Sequence, residues 1–104
     1  MPSSVPHHPL SKVRGLIRAG KVMVTRRAQR AARWDFGWGV PEIKEALLAL
    51  TESECYNAQE HMNIRHAVVD MYRANNLYDG EDVYTHFYIL DGKLVVDSFK
   101  QLNN

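Results

Sequence analysis

The strongest constraint on the fold is a β-hairpin signal near the C-terminus. Two strand-like segments, Val83–Leu90 and Lys93–Phe99, are separated only by the dipeptide Asp91-Gly92. Asp-Gly between two apolar runs is among the clearest hairpin signals, because both residues tolerate the positive φ angles of a type I′ turn. The sequence therefore predicts an antiparallel pair of strands that begins with Leu90 opposite Lys93.

An uninterrupted hairpin assigns the side chains of both strands to two faces, because they alternate along each strand. One predicted face is apolar and would be covered by helices; it carries Val83, Phe87, Ile89, Leu94 and Val96. The other predicted face is polar and aromatic; it carries Tyr84, His86, Tyr88, Asp97 and Phe99. In this register His86 lies opposite Asp97, which would orient the imidazole and raise its pKa. The second face is either an acid–base cluster with base-stacking rings or a solvated surface with an ordinary cross-strand pair.

Helical patterns precede the sheet, which indicates an α+β domain of two layers with N-terminal helices packed on an antiparallel β-sheet. The predicted elements are a helix capped by Ser11 and ending before Gly20, a strand over Lys21–Thr25, a helix from Arg26 to about Trp34 capped by Thr25, and a helix beginning at Pro41. His66–Arg73 is predicted to be a strand and Ala74–Gly80 a polar loop, whereas Thr51–Asn63 fits either a helix or a turn followed by a strand.

Length and composition favour one globular domain, since the chain has 104 residues of which 45% are hydrophobic. We expect a flexible N-terminal arm over residues 1–9 and a single domain over residues 10–104. The arm lacks the apolar run of a signal peptide, and no stretch reaches the ~20 apolar residues of a membrane helix, so we expect a cytoplasmic protein without membrane contact. The single cysteine, Cys55, excludes an internal disulfide, and we predict neither a metal site nor a cofactor.

Charge is segregated along the chain. Residues 1–34 carry eight Lys and Arg and no acid, whereas residues 35–104 carry five Lys and Arg and all twelve acids, which gives +8 against −7. This asymmetry indicates an anionic partner for the first part, with nucleic acid as the first candidate, or neutralisation of the basic helices by the acidic remainder.

Trp34 and Trp38 bracket a glycine-rich turn and are expected in the core rather than on a base-stacking surface.

Several segments resemble the MqsR family of bacterial toxins, which are messenger-RNA endoribonucleases of type II toxin–antitoxin systems with a RelE-like fold. The matching segments keep their order and spacing; they are His8–Val13, Ala19–Val22, Thr25–Arg26, Ala28, Leu50–Tyr56, Asp70–Arg73, Val83–Tyr84 and Ser98–Lys100. The resemblance implies sequence-selective, metal-independent mRNA cleavage, in which the ribose 2′-hydroxyl attacks the phosphodiester and leaves a 2′,3′-cyclic phosphate, and so inhibition of translation. It also implies a cognate antitoxin as partner, with operator DNA reached only through that antitoxin.

The resemblance also implies roles for individual residues. The family's active-site tyrosine falls on Tyr84 and its C-terminal lysine on Lys100. Three further family positions have changed here: Asn57 and His86 stand where the family has lysine, and Val69 where it has glutamine. Asn57 can hydrogen-bond but cannot neutralise a phosphate, whereas His86 is a better proton-transfer group at neutral pH than lysine.

These observations give one set of candidate site residues. The predicted catalytic residues are Tyr84, His86, Lys100 and Arg73, with Asp97 and Asn57 in support. The predicted RNA contacts are Arg26, Arg27, Arg30, Tyr88 and Phe99. The uninterrupted register sends Lys100 to the face opposite Tyr84, so a bulge or a different turn is needed to bring them together. The changes at Asn57 and Val69 keep a second hypothesis open, a non-catalytic RNA- or DNA-binding regulator with the same fold.

Overall fold

The computed structural model describes residues 5–103 and contains three α-helices, a short 3₁₀ turn and one five-stranded sheet. The elements are α1 (Leu10–Arg18), β1 (Val22–Val24), α2 (Arg26–Phe36), α3 (Val40–Leu48), the 3₁₀ turn (Glu52–Glu54), β2 (Cys55–Glu60), β3 (Val68–Tyr78), β4 (Glu81–Leu90) and β5 (Lys93–Gln101). The strand order is β1-β5-β4-β3-β2, with β1 parallel to β5 and the other pairs antiparallel. The predicted two-layer α+β fold, with N-terminal helices packed on a mostly antiparallel sheet, is confirmed.

The helices cover one face of the sheet and form the main core with it. Val13 of α1 and Leu47 of α3 are fully buried together with Tyr72, Phe87 and Leu94 of the sheet. Burial of each such side chain stabilises the fold by roughly 1.5–3 kcal/mol relative to exposure. The opposite face of the sheet, which points away from this core, is called the outer face. Within residues 5–103, no helix is long and apolar enough to cross a membrane.

Two helix starts were predicted from capping residues, and one of them is confirmed. The side chain of Thr25 accepts a hydrogen bond from the backbone N–H of Ala28 at 3.2 Å and caps α2. The N-cap predicted at Ser11 is wrong, because α1 begins two residues earlier with Pro9 as its N-cap. The Pro9 carbonyl accepts from the N–H groups of Lys12 and Val13 at 3.0 and 3.1 Å, so Ser11 lies exposed inside the first turn.

This difference gives a matched test. Thr25→Ala should lower the free energy of unfolding by about 1 kcal/mol, because it removes an N-cap acceptor. Ser11→Ala should change it by less than about 0.5 kcal/mol, because the exposed side chain caps nothing. Urea unfolding followed by circular dichroism measures both values. A larger loss for Ser11→Ala than for Thr25→Ala would place the start of α1 where the sequence pattern put it.

Strand β3 is longer than its composition suggested. The polar loop predicted over Ala74–Gly80 is wrong, because β3 continues to Tyr78 and pairs with β4 up to Glu81. The polar residues lie in an irregularity of the ladder, where Asn76 adopts φ +50° and its N–H donates to the side chain of Asp82 at 2.8 Å. Pairing with β4 thus overrides the local turn signal. In Thr51–Asn63, the open alternative of a turn followed by a strand is the one observed.

A β-bulge in the C-terminal hairpin changes the predicted register. Leu90 lies opposite Lys93, as predicted, and the ladder continues in the predicted register to Phe87 and Val96. The next pair is His86 with Ser98 rather than with Asp97, so β5 carries one extra residue. Because of this extra residue, every later side chain of β5 lies on the face opposite to the one that the uninterrupted register predicted.

The bulge exchanges two side chains between the faces. Lys100 comes to lie opposite Tyr84 on the outer face, as the family resemblance required. Phe99 turns into the core, where it is fully buried beside the rings of Phe36 and Trp38 at 6.0 and 6.1 Å between ring centroids. The prediction that Phe99 contacts RNA bases is therefore wrong.

The chain before α1 is attached to the sheet where the structure describes it. The backbone N–H groups of His7 and His8 donate to the two carboxylate oxygens of Asp70 at 2.8 Å each. Nε2 of His8 lies 2.9 Å from the carbonyl oxygen of Val68. These bonds attach residues 7–8 to the sheet and are at odds with a loose arm there. Residues 1–4 lie outside the described part of the chain, and the division into an arm over residues 1–9 and a domain over residues 10–104 remains a prediction.

Candidate active site

A groove of about 490 Å³ opens on the outer face of the sheet, beside α2. It is lined by Arg27, Ala28, Ala31, Tyr56, Arg73, Tyr84, His86, Ser98, Phe99, Lys100 and Leu102. Four of these, Arg73, Tyr84, His86 and Lys100, are the predicted catalytic residues, so the fold brings that set together.

Helix α2 forms one wall of the groove because β1 is short. β1 pairs only with residues 94–96 of β5, which leaves the following edge of β5 without a strand partner in the described sheet. α2 follows that edge: the Asp35 carboxylate accepts the backbone N–H of Gln101 at 2.9 Å. The Arg27 guanidinium at the other end of α2 pairs with Asp97 at 3.4 Å. The edge is thus closed by a helix that also carries arginines to the groove.

Tyr84 and His86 form the centre of the site. They lie two residues apart on β4, so their side chains share the outer face. Tyr84 Oη and His86 Nδ1 are 2.8 Å apart, and the phenol can donate to this nitrogen or accept from it. The bond leaves Nε2 of the imidazole as the second proton-transfer position.

The electrostatic environment keeps His86 neutral at pH 7. Desolvation by burial is the largest cause and lowers the pKa of His86 below its ordinary value of 6.5. The carboxylate of Asp97 acts in the opposite direction, and the charges of Arg27, Lys100 and His61 add to the lowering. Asp97 raises this pKa, as predicted, but burial outweighs the carboxylate and the net shift is downward.

Tyr84 is held in its protonated form. Burial, together with a hydrogen bond with Tyr56 that favours the neutral phenol, raises the pKa of Tyr84 to about 12. The guanidinium of Arg73 lowers the pKa but does not offset these two effects. At neutral pH the site therefore pairs a neutral imidazole with a protonated phenol, an acceptor and a donor of protons in direct contact.

Two cations lie beside this pair in one row of the sheet. Arg73 of β3 is the register partner of Tyr84, and Tyr84 is the partner of Lys100 of β5. Nζ of Lys100 lies 5.5 Å from the centroid of the Tyr84 ring. The guanidinium group of Arg73 is held over the Tyr56 ring by a cation–π interaction, with 3.9 Å between its central carbon and the ring centroid. A phosphate bound over Tyr84 would have a positive charge on each side.

Tyr56 is a site residue that sequence reasoning missed. It lies in β2, where a second bulge between Cys55 and Asn57 breaks the register with β3. The Tyr56 ring is tilted against Tyr84 with 6.4 Å between ring centroids, and it supports the Arg73 guanidinium. The only sequence signal for it was its position in the family-like segment Leu50–Tyr56.

The two residues predicted to support the site do not do so as expected. Asp97 lies in the bulge and pairs with Arg27, and the hydrogen bond to Nδ1 of His86 comes from Tyr84, so the prediction that Asp97 orients the imidazole is wrong. Asn57 lies outside the groove: its Oδ1 accepts the N–H of Ala58 at 2.9 Å, and its Nδ2 lies 3.8 Å from the Met71 sulfur.

The predicted RNA contacts divide into accessible and buried residues. Arg27 lines the groove, while Arg26 and Arg30 are exposed on α2 outside it. Tyr88 is only 7% exposed, because it packs in a small outer-face cluster with Val69 and against the ring of His61. The prediction that Tyr88 stacks on bases is therefore wrong, and the altered position Val69 is part of that cluster.

Within residues 5–103, no three His, Cys, Asp or Glu side chains are grouped so that they could hold a metal ion. The family described as "Motility quorum-sensing regulator, toxin of MqsA" matches residues 5–101, which include every residue of the groove except Leu102. A search among curated proteins gives no match to the chain.

Proposed function

The chain therefore belongs to the MqsR family and is a toxin with an antitoxin partner, and on this premise we propose that it is a sequence-selective endoribonuclease that cleaves mRNA and so inhibits translation. Cleavage would need no metal ion, and the protein would act in the cytoplasm and reach operator DNA only through its antitoxin. One observation carries the proposal: the contact between Tyr84 and His86 in a groove between Arg73 and Lys100.

The chemistry requires a base at the ribose 2′-oxygen and an acid at the leaving 5′-oxygen. In the proposed step, Nε2 of neutral His86 takes the 2′-hydroxyl proton as the 2′-oxygen attacks phosphorus. The Nδ1 proton of His86 passes to Tyr84, and the phenol proton of Tyr84 passes to the 5′-oxygen as the P–O5′ bond breaks. The products are a 2′,3′-cyclic phosphate and a 5′-hydroxyl end, and both residues finish neutral, with the imidazole proton moved from Nδ1 to Nε2.

The two flanking cations stabilise the charge that develops on phosphorus. Attack converts a singly charged phosphodiester into a doubly charged phosphorane-like transition state. Arg73 can bind two phosphate oxygens at once, and Lys100 supplies a point charge on the opposite side. Because both are positioned before the substrate binds, little reorganisation is needed during the reaction.

The proposal is tested by incubating the purified protein with a defined mRNA in excess EDTA. Cuts at a recurring short sequence, mapped by primer extension, are expected in the wild type and not in Tyr84→Ala. The new 5′ ends should be hydroxyls, which polynucleotide kinase labels without prior phosphatase treatment. Intact RNA with measurable RNA binding would instead favour the non-catalytic regulator, and 5′-phosphate ends would contradict attack by the 2′-hydroxyl.

The pH dependence of cleavage should follow His86. Because the neutral imidazole is the active form, kcat/KM should rise with pH through a pKa below 6.5 and then reach a plateau. The plateau should extend from about pH 7 to about pH 9, because the acid, Tyr84, keeps its proton until pH about 12. The profile is measured under single-turnover conditions. A rate that continues to rise above about pH 8 would indicate a lysine-like base in place of His86.

A further inference from the structure

The side chain of Trp34 is exposed on the surface, contrary to the core position predicted from the sequence. It is 90% exposed, whereas Trp38, on the other side of the turn, is buried against Phe36 with 4.4 Å between ring centroids. The core side of α2 is formed by Ala28 and Ala32, and Trp34 lies on the opposite side of the helix. A side chain that buries 150–250 Å² in a typical core is here left in water.

Trp34 borders a second, shallow pocket of about 980 Å³ that is strongly cationic. Arg33 and Trp34 follow Arg30 by three and four residues on α2, so each is a neighbour of Arg30 on the helix surface. Among the described residues that line the pocket, the single carboxylate is Asp35, and one of its oxygens is already used by the backbone N–H of Gln101. An exposed aromatic ring among arginines matches a strand with bases and phosphates, since bases stack on aromatic rings and phosphates pair with guanidinium groups.

The second pocket continues directly from the catalytic groove. Arg27, Ala31 and Lys100 line both. Lys100 is one of the two cations beside Tyr84, so a strand leaving the site over Lys100 passes onto the face of α2 that carries Trp34. Both pockets then form one basic track along α2.

We propose that Trp34 stacks on a base of single-stranded RNA that flanks the nucleotides bound in the catalytic groove, while Arg30 and Arg33 bind the adjacent phosphates. This subsite would hold the flanking strand and add affinity beyond the catalytic groove. The inference rests on the proposed ribonuclease function for the identity of the strand, and its test is a binding measurement that is independent of cleavage.

The test uses fluorescein-labelled 2′-O-methyl RNA, which lacks the attacking hydroxyl and therefore binds without being cut. Fluorescence anisotropy gives Kd for a short oligonucleotide of about four nucleotides and a long one of about twelve. Trp34→Ala in the full chain should raise Kd for the long RNA about tenfold and leave the short RNA unchanged. Trp34→Phe should retain most of the affinity, because a ring remains for stacking. Met62→Ala is the matched control, since Met62 is exposed outside both pockets.

Tryptophan fluorescence gives a second readout. Long RNA should quench the wild-type signal, and this quenching should disappear in Trp34→Phe, where only the buried Trp38 remains. Equal Kd values for wild type and Trp34→Ala with long RNA would overturn the subsite, as would an equal loss with both lengths. Loss of antitoxin binding with unchanged RNA binding would overturn it too, by assigning Trp34 to a protein interface.

The subsite and the ribonuclease function can fail separately. Cleavage by the wild type with Trp34-independent binding would keep the function and reject the subsite. Trp34-dependent binding of long RNA without cleavage would keep the subsite and reject the nuclease. A wild type that binds RNA of neither length would reject both.

Discussion

Tyr84→Phe should lower the single-turnover cleavage rate by about 10²–10⁴-fold while the protein unfolds as cooperatively as the wild type. The change removes the oxygen that contacts Nδ1 of His86 at 2.8 Å, and with it the proposed acid at the 5′-oxygen. It leaves the ring in place against Tyr56 and Lys100, so the groove keeps its shape. Cleavage is measured at saturating protein, and folding by urea titration.

A matched control is available on the neighbouring strand. Tyr72→Phe makes the same chemical change in β3, where the buried hydroxyl has no hydrogen-bond partner among the described residues. Removing an unsatisfied buried hydroxyl is neutral or stabilising, so this variant should cleave at the wild-type rate. An equal loss of activity in both variants would show that the effect of Tyr84→Phe comes from the sheet rather than from the reaction.

The relay also predicts how two substitutions combine. If Tyr84 and His86 move one proton together, either single variant already breaks the relay. The double variant Tyr84→Phe with His86→Ala should therefore cleave nearly as fast as the less active of the two single variants. Its cleavage rate should not fall by the product of the two single rate losses. Multiplied losses would mean that the two side chains act in separate steps, and the proton transfer through Tyr84 would be wrong.

The sequence predicted those features that depend on local signals. The turn at Asp91-Gly92 and the cap at Thr25 are each specified by residues within a few positions of one another, and both are present. The two-layer α+β architecture follows from the order of helical and strand patterns. Ser11 is not the N-cap because the helix starts two residues earlier, where the Pro9 carbonyl accepts the first hydrogen bonds.

The candidate site depended on features without a local signal. The bulge at Asp97 places Lys100, and not Phe99, on the same face as Tyr84, and it places Phe99 beside Trp38 in the core. The alternation rule is correct up to that point and inverted after it. A second bulge brings Tyr56 to the groove in the same way.

The electrostatics of His86 show a related limit. The sequence placed one carboxylate near the imidazole, and that carboxylate does act on its pKa in the expected direction. Burial has the larger effect, and the depth of a side chain on a sheet face is set by the elements around it. For His86 these include α2, whose position beside β5 depends on the short length of β1.

Lys100→Met should lower the cleavage rate by about 10²–10³-fold, the loss typical of removing one preorganised group that stabilises transition-state charge. The methionine keeps the aliphatic stem beside Tyr84 and removes only the ammonium group. Kd for non-cleavable short RNA should change far less than the rate, because the phosphodiester carries one charge in the ground state and two at the transition state. Lys93→Met is the control, since Lys93 is exposed at the hairpin end of the same strand.

The comparison of these two lysines also tests the bulge. In the uninterrupted register, Lys100 would face away from Tyr84 and its removal would act only through the general field of the protein. Both variants would then lose the same small factor, and raising the salt concentration would abolish the difference from wild type. In the observed register Lys100 is the direct partner of Tyr84, so its loss should be large, specific to the rate and only weakly dependent on salt. A salt-sensitive loss of equal size at Lys93 and Lys100 would contradict a direct role for Lys100 at the phosphate.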